Sequence, residues 1–245
     1  MWQQILPGLR IKLFMTVFFG VIYPLAMTGI SQALFPGKAN GSVIRKGNQV
    51  AGSEIIGQNF TRPEYFHPRP SSAGNGYDAS SSSGSNLGPT SAKLFRGATK
   101  MNDKNQEVVD FDGIDLRVVH YCLENDIPYE SSAPMDGFKY ANGALEDVKL
   151  IKAFNNNENP LLFMAKTPIP ADAVTGSASG LDPHISPANA AIQAARVAKA
   201  RGVPADQIRR LISQFTEPPT FGFLGEPRVN VVKLNLALDS QIRGR

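Results

Sequence analysis

The sequence predicts an α/β chain in which one N-terminal transmembrane helix precedes a small extracytoplasmic domain, with an antiparallel or mixed sheet and a C-terminal helix pair. Three observations predict it. Residues 13–35 carry no charged side chain, residues 186–215 hold two helical patterns with start and stop signals, and short β-prone runs lie between turns rich in Gly and Pro. With 245 residues the chain is long enough to bury a core. At 42% hydrophobic and 19% charged it is neither a disordered chain nor a polytopic membrane protein.

The run 13–35 is about 35 Å long as a helix, enough to cross a hydrocarbon layer of about 30 Å. Arg10 and Lys12 precede it and no acidic residue occurs before Glu54. The positive-inside rule therefore leaves residues 1–12 as a cytoplasmic tail. It makes the chain a single-pass protein of the inner (cell) membrane and puts residues 41–245 on the periplasmic or extracellular side. Ser31-Gln32-Ala33 resembles a signal-peptidase site, but the apolar run exceeds the 7–15 residues of a signal core, which favours an uncleaved anchor. Thr16, Gly20, Pro24 and Thr28 recur every four residues and form a stripe of small or kinking residues, the kind of face by which membrane helices approach one another.

Beyond the span, residues 42–45 and 49–56 flank Lys46-Gly47-Asn48 and read as a β-hairpin. Residues 61–91 are dense in Gly, Pro, Ser and Asn and read as a loop. Tyr65, Phe66, Tyr77 and Leu87 mark it as an ordered loop that docks on something rather than a tether. Residues 92–166 show apolar runs without a sustained period and predict short elements. Ser186 and Pro187 open a helix over the Ala-rich residues 188–201, and Gly202 stops it. Pro204 opens a second helix, with Ile208, Leu211, Ile212 and Phe215 on one face. Val232, Leu234, Leu236 and Leu238 alternate with Lys233, Asn235 and Asp239, apart from Ala237, and read as a half-buried strand. A sheet covered by the helix pair is the expected result.

Composition and motifs exclude several functions. Lys+Arg 25 against Asp+Glu 21 leaves +4, without the clustered cations of a nucleic-acid surface. The single cysteine, Cys122, rules out an internal disulfide and a CxxC motif. Gly176-Ser177-Ala178-Ser179-Gly180 has alanine where a nucleophile elbow needs serine. The segment from Gly52 to Asn59 has the two glycines of a phosphate loop, but Gln58 and Asn59 replace its Lys and Ser/Thr. Asp110-Phe111-Asp112-Gly113 lacks the later ligands of a calcium loop. His67, His120 and His184 are far apart with no HExxH, so no metal site is assigned. In Asp182-Pro183-His184-Ile185-Ser186, Asp182 and Ser186 are spaced to accept backbone amides around the prolines.

What remains is a set of ordered blocks: Ile56-Gly57-Gln58-Asn59-Phe60, Tyr65-Phe66-His67-Pro68-Arg69-Pro70-Ser71, Gly84-Ser85-Asn86-Leu87-Gly88-Pro89, residues 179–187, Arg196-Val197-Ala198-Lys199-Ala200-Arg201, and Gly225-Glu226-Pro227-Arg228-Val229-Asn230-Val231 through residues 234–239. Together with the single N-terminal span, these blocks resemble the KdpC subunit of the Kdp potassium-transporting P-type ATPase, over residues 5–95 and 167–240. From about 99 to 166 the chain looks longer than the family pattern, and this stretch reads as a family-atypical insert.

The resemblance implies a non-catalytic accessory subunit of a high-affinity, ATP-driven potassium uptake complex. Its partners would be a channel-like potassium subunit, a P-type ATPase subunit and a small membrane peptide. The chain has no Asp-Lys-Thr-Gly-Thr motif to accept phosphate, and no cofactor is expected beyond ATP handled by the complex. Two roles are implied: stabilising assembly near the external mouth of the potassium path, or acting as a catalytic chaperone for ATP binding through a glutamine. That glutamine matches Gln193, the nucleotide-binding candidate, which shares a helix face with Arg196 and Lys199 that reads as solvated. Export of the domain favours the outer-mouth role, because ATP is cytoplasmic. The alternative is a membrane-tethered periplasmic ligand-binding or envelope protein that uses residues 61–91 as its ligand surface.

Overall fold

A computed structural model of the chain describes residues 2–242. It divides into two compact units, Met1–Ile55 and Ile56–Arg245.

The first unit is a nearly continuous helix: α1 (Trp2–Val17), a π turn (Phe18–Ile22) and α2 (Tyr23–Leu34). Its stretch Gln4–Leu34 is long and apolar enough to cross a bilayer, with a mean hydropathy of 1.9 in its most apolar window. The helix starts well before the expected residue 13, and Arg10 and Lys12 lie within α1. Pro24 explains the π turn. It has no N–H to give Gly20, and its ring crowds that carbonyl, so the turn widens and the Tyr23 amide reaches back to Phe18 O. After α3 (Pro36–Ala39), strands β1 (Val43–Lys46) and β2 (Gln49–Ser53) form the expected hairpin, closed by the Lys46–Gln49 pair over Gly47 at φ +63°.

The second unit opens with a long loop and then lays down short elements. These are α4 (Ala92–Arg96), the hairpin β3 (Ala98–Met101) and β4 (Glu107–Phe111), α5 (Gly113–Glu124), β5 (Tyr129–Ser131), α6 (Asp147–Phe154), β6 (Phe163–Ala165) and α7 (Ala171–Val174). The chain ends in β7 (His184–Ile185), α8 (Pro187–Arg201), α9 (Ala205–Phe215), β8 (Thr216–Glu217), β9 (Arg228–Asn230) and α10 (Val231–Gln241). All named strand pairs are antiparallel: β1–β2, β3–β4 and β5–β6 are two-stranded, and β7-β9-β8 is the one three-stranded sheet among the described residues.

The helix pair forms as its signals indicate. Ser186 Oγ accepts the Asn189 amide, Pro187 fills the first position, and Gly202 adopts the left-handed conformation at φ +66°. In α9, Ile208, Leu211 and Ile212 are buried against α8 and α10.

The expected strand over residues 232–238 is instead α10. The alternation misleads because Asn235 is a buried polar residue, 1% exposed. With it counted as buried, Val231, Leu234, Asn235 and Leu238 fall at i, i+3, i+4 and i+7, one face of a helix. Asn230 caps that helix by accepting the Lys233 amide at 3.0 Å. The single sheet expected under the helix pair is correspondingly reduced to β7-β9-β8, whose Ile185 and Val229 join the core.

That core packs Phe66 with residues of α8, α9 and α10, including Val197, Ile208, Leu234 and Leu238. A second cluster joins Leu116, Val119, Leu150, Ile151, Phe154 and Leu161, so the middle of the chain, α5 and α6 above all, builds its own apolar centre. Where the loop 61–91 passes residues 176–182, Gly180 sits at φ +67°, and a Cβ there would lie 2.5 Å from Ser83 O.

Candidate functional site

The ordered loop docks on its own chain. Residues 65–67 belong to no strand and are bonded by both α8 and α10, where two side-chain amides supply the backbone partners. Asn235 Oδ1 accepts the Phe66 amide at 2.9 Å, and its Nδ2 donates to Phe66 O at 2.9 Å. From the opposite side, Gln193 Oε1 accepts the His67 amide at 2.7 Å, and its Nε2 donates to His67 O at 3.1 Å.

Arginines close the flanks. Arg196 donates to Pro63 O and Tyr65 O, and also to Gln193 Oε1 at 2.7 Å. Arg201, at the end of α8, donates to Glu64 O, Ile242 O and Asp239 Oδ1 and stacks over the Tyr65 ring. Arg69 holds the far end by donating to Asp182 Oδ2 at 3.0 Å and to Thr175 O.

A cleft of about 470 Å³ opens beside this clamp, walled by the loop 59–77, α5 and α8. Its floor is a chain of hydrogen bonds. Asp172 accepts the Ser186 amide and the Ser186 hydroxyl and receives Asn189 Nδ2 at 2.9 Å. Asn189 Oδ1 in turn accepts Tyr121 Oη and Gln193 Nε2, each at 2.8 Å. The carboxamide of Gln193 thus has both oxygen lone pairs and both N–H groups engaged, the full inventory of that side chain.

The charges lining the cleft are paired. Arg117 grips Asp112 with two donors, at 2.7 and 2.6 Å, and gives a third to Val174 O. His120 Nε2 lies 2.8 Å from Asp147 Oδ1, and His67 Nδ1 lies 3.4 Å from Glu124 Oε2. Burial alone would raise the Glu124 carboxyl, yet the hydrogen bond from His67, with the charges of His67, His120 and Arg196, holds it below the usual range. Burial likewise opposes Asp182, which is held low by His184 and Arg69. His120 is pushed down by burial but raised overall by Asp147, Glu124 and Asp112. The Cys122 thiol, buried on the inner face of α5, is pushed up to about 11 by desolvation and carries no thiolate at neutral pH.

Each residue singled out in the sequence has a definite place. The face shared by Gln193, Arg196 and Lys199 is not solvated as expected. Gln193 is 1% exposed, Arg196 is half-buried, and only Lys199 is exposed, because the loop lies across that face. Asp182 Oδ1 accepts the His184 amide and Ser186 accepts that of Asn189, as their spacing indicates. Thr16, Gly20, Pro24 and Thr28 all lie exposed on the N-terminal helix, and Thr28 Oγ1 donates to Pro24 O at 2.8 Å.

Sequence reasoning missed Asn235, Asn189, Asp172 and Arg201. Their one signal is polarity at positions where helix periodicity demands apolar residues, at Asn189 and Gln193 in an Ala-rich face and at Asn235 in a Leu run.

A family model described as KdpC, K+-transporting ATPase, c chain, matches residues 5–112 and 135–240. The unmatched interval between these stretches, 113–134, is narrower than the 99–166 expected. Similar proteins named potassium-transporting ATPase KdpC subunit include one from Mycobacterium tuberculosis, strain ATCC 25618 / H37Rv. It is 44% identical over 239 residues, spanning 98% of this chain and 99% of that protein. One from Beijerinckia indica is 42% identical over 241 residues, 98% and 95% of the two chains. One from Myxococcus xanthus is 44% identical over 240 residues, 98% and 89%.

Gln193→Ala leaves the His67 N–H and C=O without their protein partners in a part-buried site and is expected to cost about 3 kcal/mol, or roughly 6–12 °C in Tm. Asn235→Ala does the same to Phe66, and differential scanning calorimetry of the two variants should give similar losses. A loss below about 0.5 kcal/mol in both would contradict the clamp.

In pH, the lowered carboxyls of Glu124 and Asp182 contribute stability that is present above their ordinary values of 4.5 and 3.8 and is lost as pH falls through the folded ones. The raised His120 contributes fully below its ordinary 6.5 and loses that contribution as pH rises through its folded value. The unfolding midpoint should therefore peak between pH 4.5 and 6.5 and fall on both sides. In His120→Asn the alkaline fall should shrink; an unchanged profile contradicts the pairing with Asp147.

Proposed function

Because the chain belongs to the KdpC family, the c chains of K+-transporting ATPases, we propose that it is a non-catalytic accessory subunit that stabilises assembly of a potassium uptake complex. It is anchored in the inner membrane by the apolar helix Gln4–Leu34, with residues 41–245 on the outer side. The channel-like subunit, the ATPase subunit and a small membrane peptide carry out transport and ATP hydrolysis.

The observation that carries this reading is the family match, and the small or kinking residues Thr16, Gly20, Pro24 and Thr28, four apart on the membrane helix, give it a place of contact. A Cβ placed on Gly20 would meet nothing within 4 Å, and Thr16, Pro24 and Thr28 are exposed beside it. In lipid, where no hydrophobic force drives helices together, small residues that let backbones approach are the main source of attraction. Pro24 adds a backbone carbonyl, that of Gly20, without its helical donor, which a neighbouring helix can satisfy. The outward orientation rests on Arg10 and Lys12 ahead of the first acidic residue, Glu54.

The second role, a chaperone that contacts ATP through Gln193, is the weaker reading. A nucleotide would have to displace four hydrogen bonds of the Gln193 carboxamide, two of which hold the loop at His67. The alternative of a tethered ligand-binding protein is weakened in the same way, since the backbone at residues 65–67 is bound to the protein's own helices. In both cases the polar groups have internal partners, which favours a shaped, assembling surface over a reactive one.

Gly20→Leu fills the notch in the stripe and is expected to reduce recovery of the channel-like and ATPase subunits with this chain by about tenfold in gentle detergent. The unfolding midpoint of the second unit should not move. Undiminished recovery of both subunits would contradict assembly through this helix.

A further inference from the structure

The loop between β8 and β9 is the feature that the clamp and the anchor leave unexplained. Residues 220–227 are all exposed, and among them Phe221 is 83%, Phe223 76% and Leu224 50% accessible. Single exposed apolar residues are ordinary on a protein surface, but two phenylalanines and a leucine at the tip of one projection are not.

The projection is built to hold them outward. Thr220 and Leu224 exchange both backbone hydrogen bonds at 2.9 Å, and the Gly222 amide donates to Pro219 O at 3.0 Å. Phe221 sits at φ +55°, a left-handed conformation that a bulky residue rarely adopts, followed by Gly222 at +82°. The base is fixed in the core. β8 and β9 pair Thr216 with Val229 and Glu217 with Arg228, Val229 is fully buried, and Glu217 takes ion pairs from Arg228 and Lys233.

We propose that this tip, Phe221-Gly222-Phe223-Leu224, is the docking knob by which the second unit engages an apolar pocket on a companion protein subunit of the transport complex. The inference rests on the proposed function and supplies it with a contact surface. A preordered aromatic pair loses little freedom on binding, which is the property of the few side chains that dominate protein interfaces.

Charge selects a protein over a lipid surface as the occupant. Residues 218–227 include no Lys, Arg, Trp or Tyr, the residues that seat a loop in a headgroup layer; the next cation, Arg228, is paired with Glu217, and the exposed carboxylate of Glu226 lies two positions beyond the tip. A carboxylate beside an apolar tip repels anionic lipid and suits a pocket whose rim offers a cation or backbone N–H groups.

The test uses the full chain co-expressed with its companion subunits. Phe221→Ser/Phe223→Ser should lower recovery of the companion by ~30-fold while leaving the unfolding midpoint of the chain unchanged, as expected of residues so exposed. Leu162→Ser/Met164→Ser, at another exposed apolar pair, should leave recovery unchanged. In a second arm, Phe223→p-benzoylphenylalanine is irradiated in the assembled complex, and an adduct to a companion subunit is expected. Full recovery of the double variant, an adduct to lipid alone, or no adduct overturns the knob. Failure of the unaltered chain to retain any companion overturns the proposed function as well, which separates the two.

Discussion

A buried backbone with no neighbouring strand has to find hydrogen-bond partners, and residues 65–67 find theirs in two carboxamides. Asn235 and Gln193 each offer an acceptor and a donor at the spacing of a peptide group, so α10 and α8 act on the segment as strands would. Much else depends on this. Phe66 can enter the core at 0% exposure only because its own amide and carbonyl are paired there. The loop that follows, too rich in Gly, Pro and Ser to order itself, is fixed as one wall of the cleft. The clamp also couples two helices far apart in sequence through one stretch of loop.

The same economy of polar groups runs through the second unit. Asp172, Asn189, Tyr121 and Gln193 form one connected network, and Arg69, Arg117, Arg196 and Arg201 each bind backbone carbonyls as well as side chains. No buried side-chain polar atom among the described residues lacks a partner. A domain organised in this way is rigid and presents shape. Its exposed apolar side chains include the phenylalanine tip between β8 and β9, and the membrane helix of the first unit adds the stripe around Gly20. Both suit the role proposed above, in which this subunit holds the assembly together.

Features with local causes were legible in the sequence. The Ser186-Pro187 start and Gly202 stop of α8, the hairpin across Gly47, and the apolar span each depend on residues close in the chain. Features decided by tertiary contacts were not. Asn235 looked like the outward residue of a strand because nothing local reveals that Phe66 needs it, and the resulting misreading turned α10 into a strand. Gln193 looked solvated for the same reason: the loop that covers it lies 126 positions away. The π turn had a local cause in Pro24, but its form depends on how the helix relieves the crowding at Gly20. Polar residues set into an apolar helical face were the available sign, and they mark the clamp at Asn189, Gln193 and Asn235 alike.

Native-state hydrogen exchange at the Phe66 and His67 amides tests the clamp most directly. If the two carboxamides hold this segment, both amides exchange as slowly as those in the middle of α8 and α10 and open only with the unit as a whole. Exchange at the rate of a free loop, while α8 and α10 stay protected, would contradict the account.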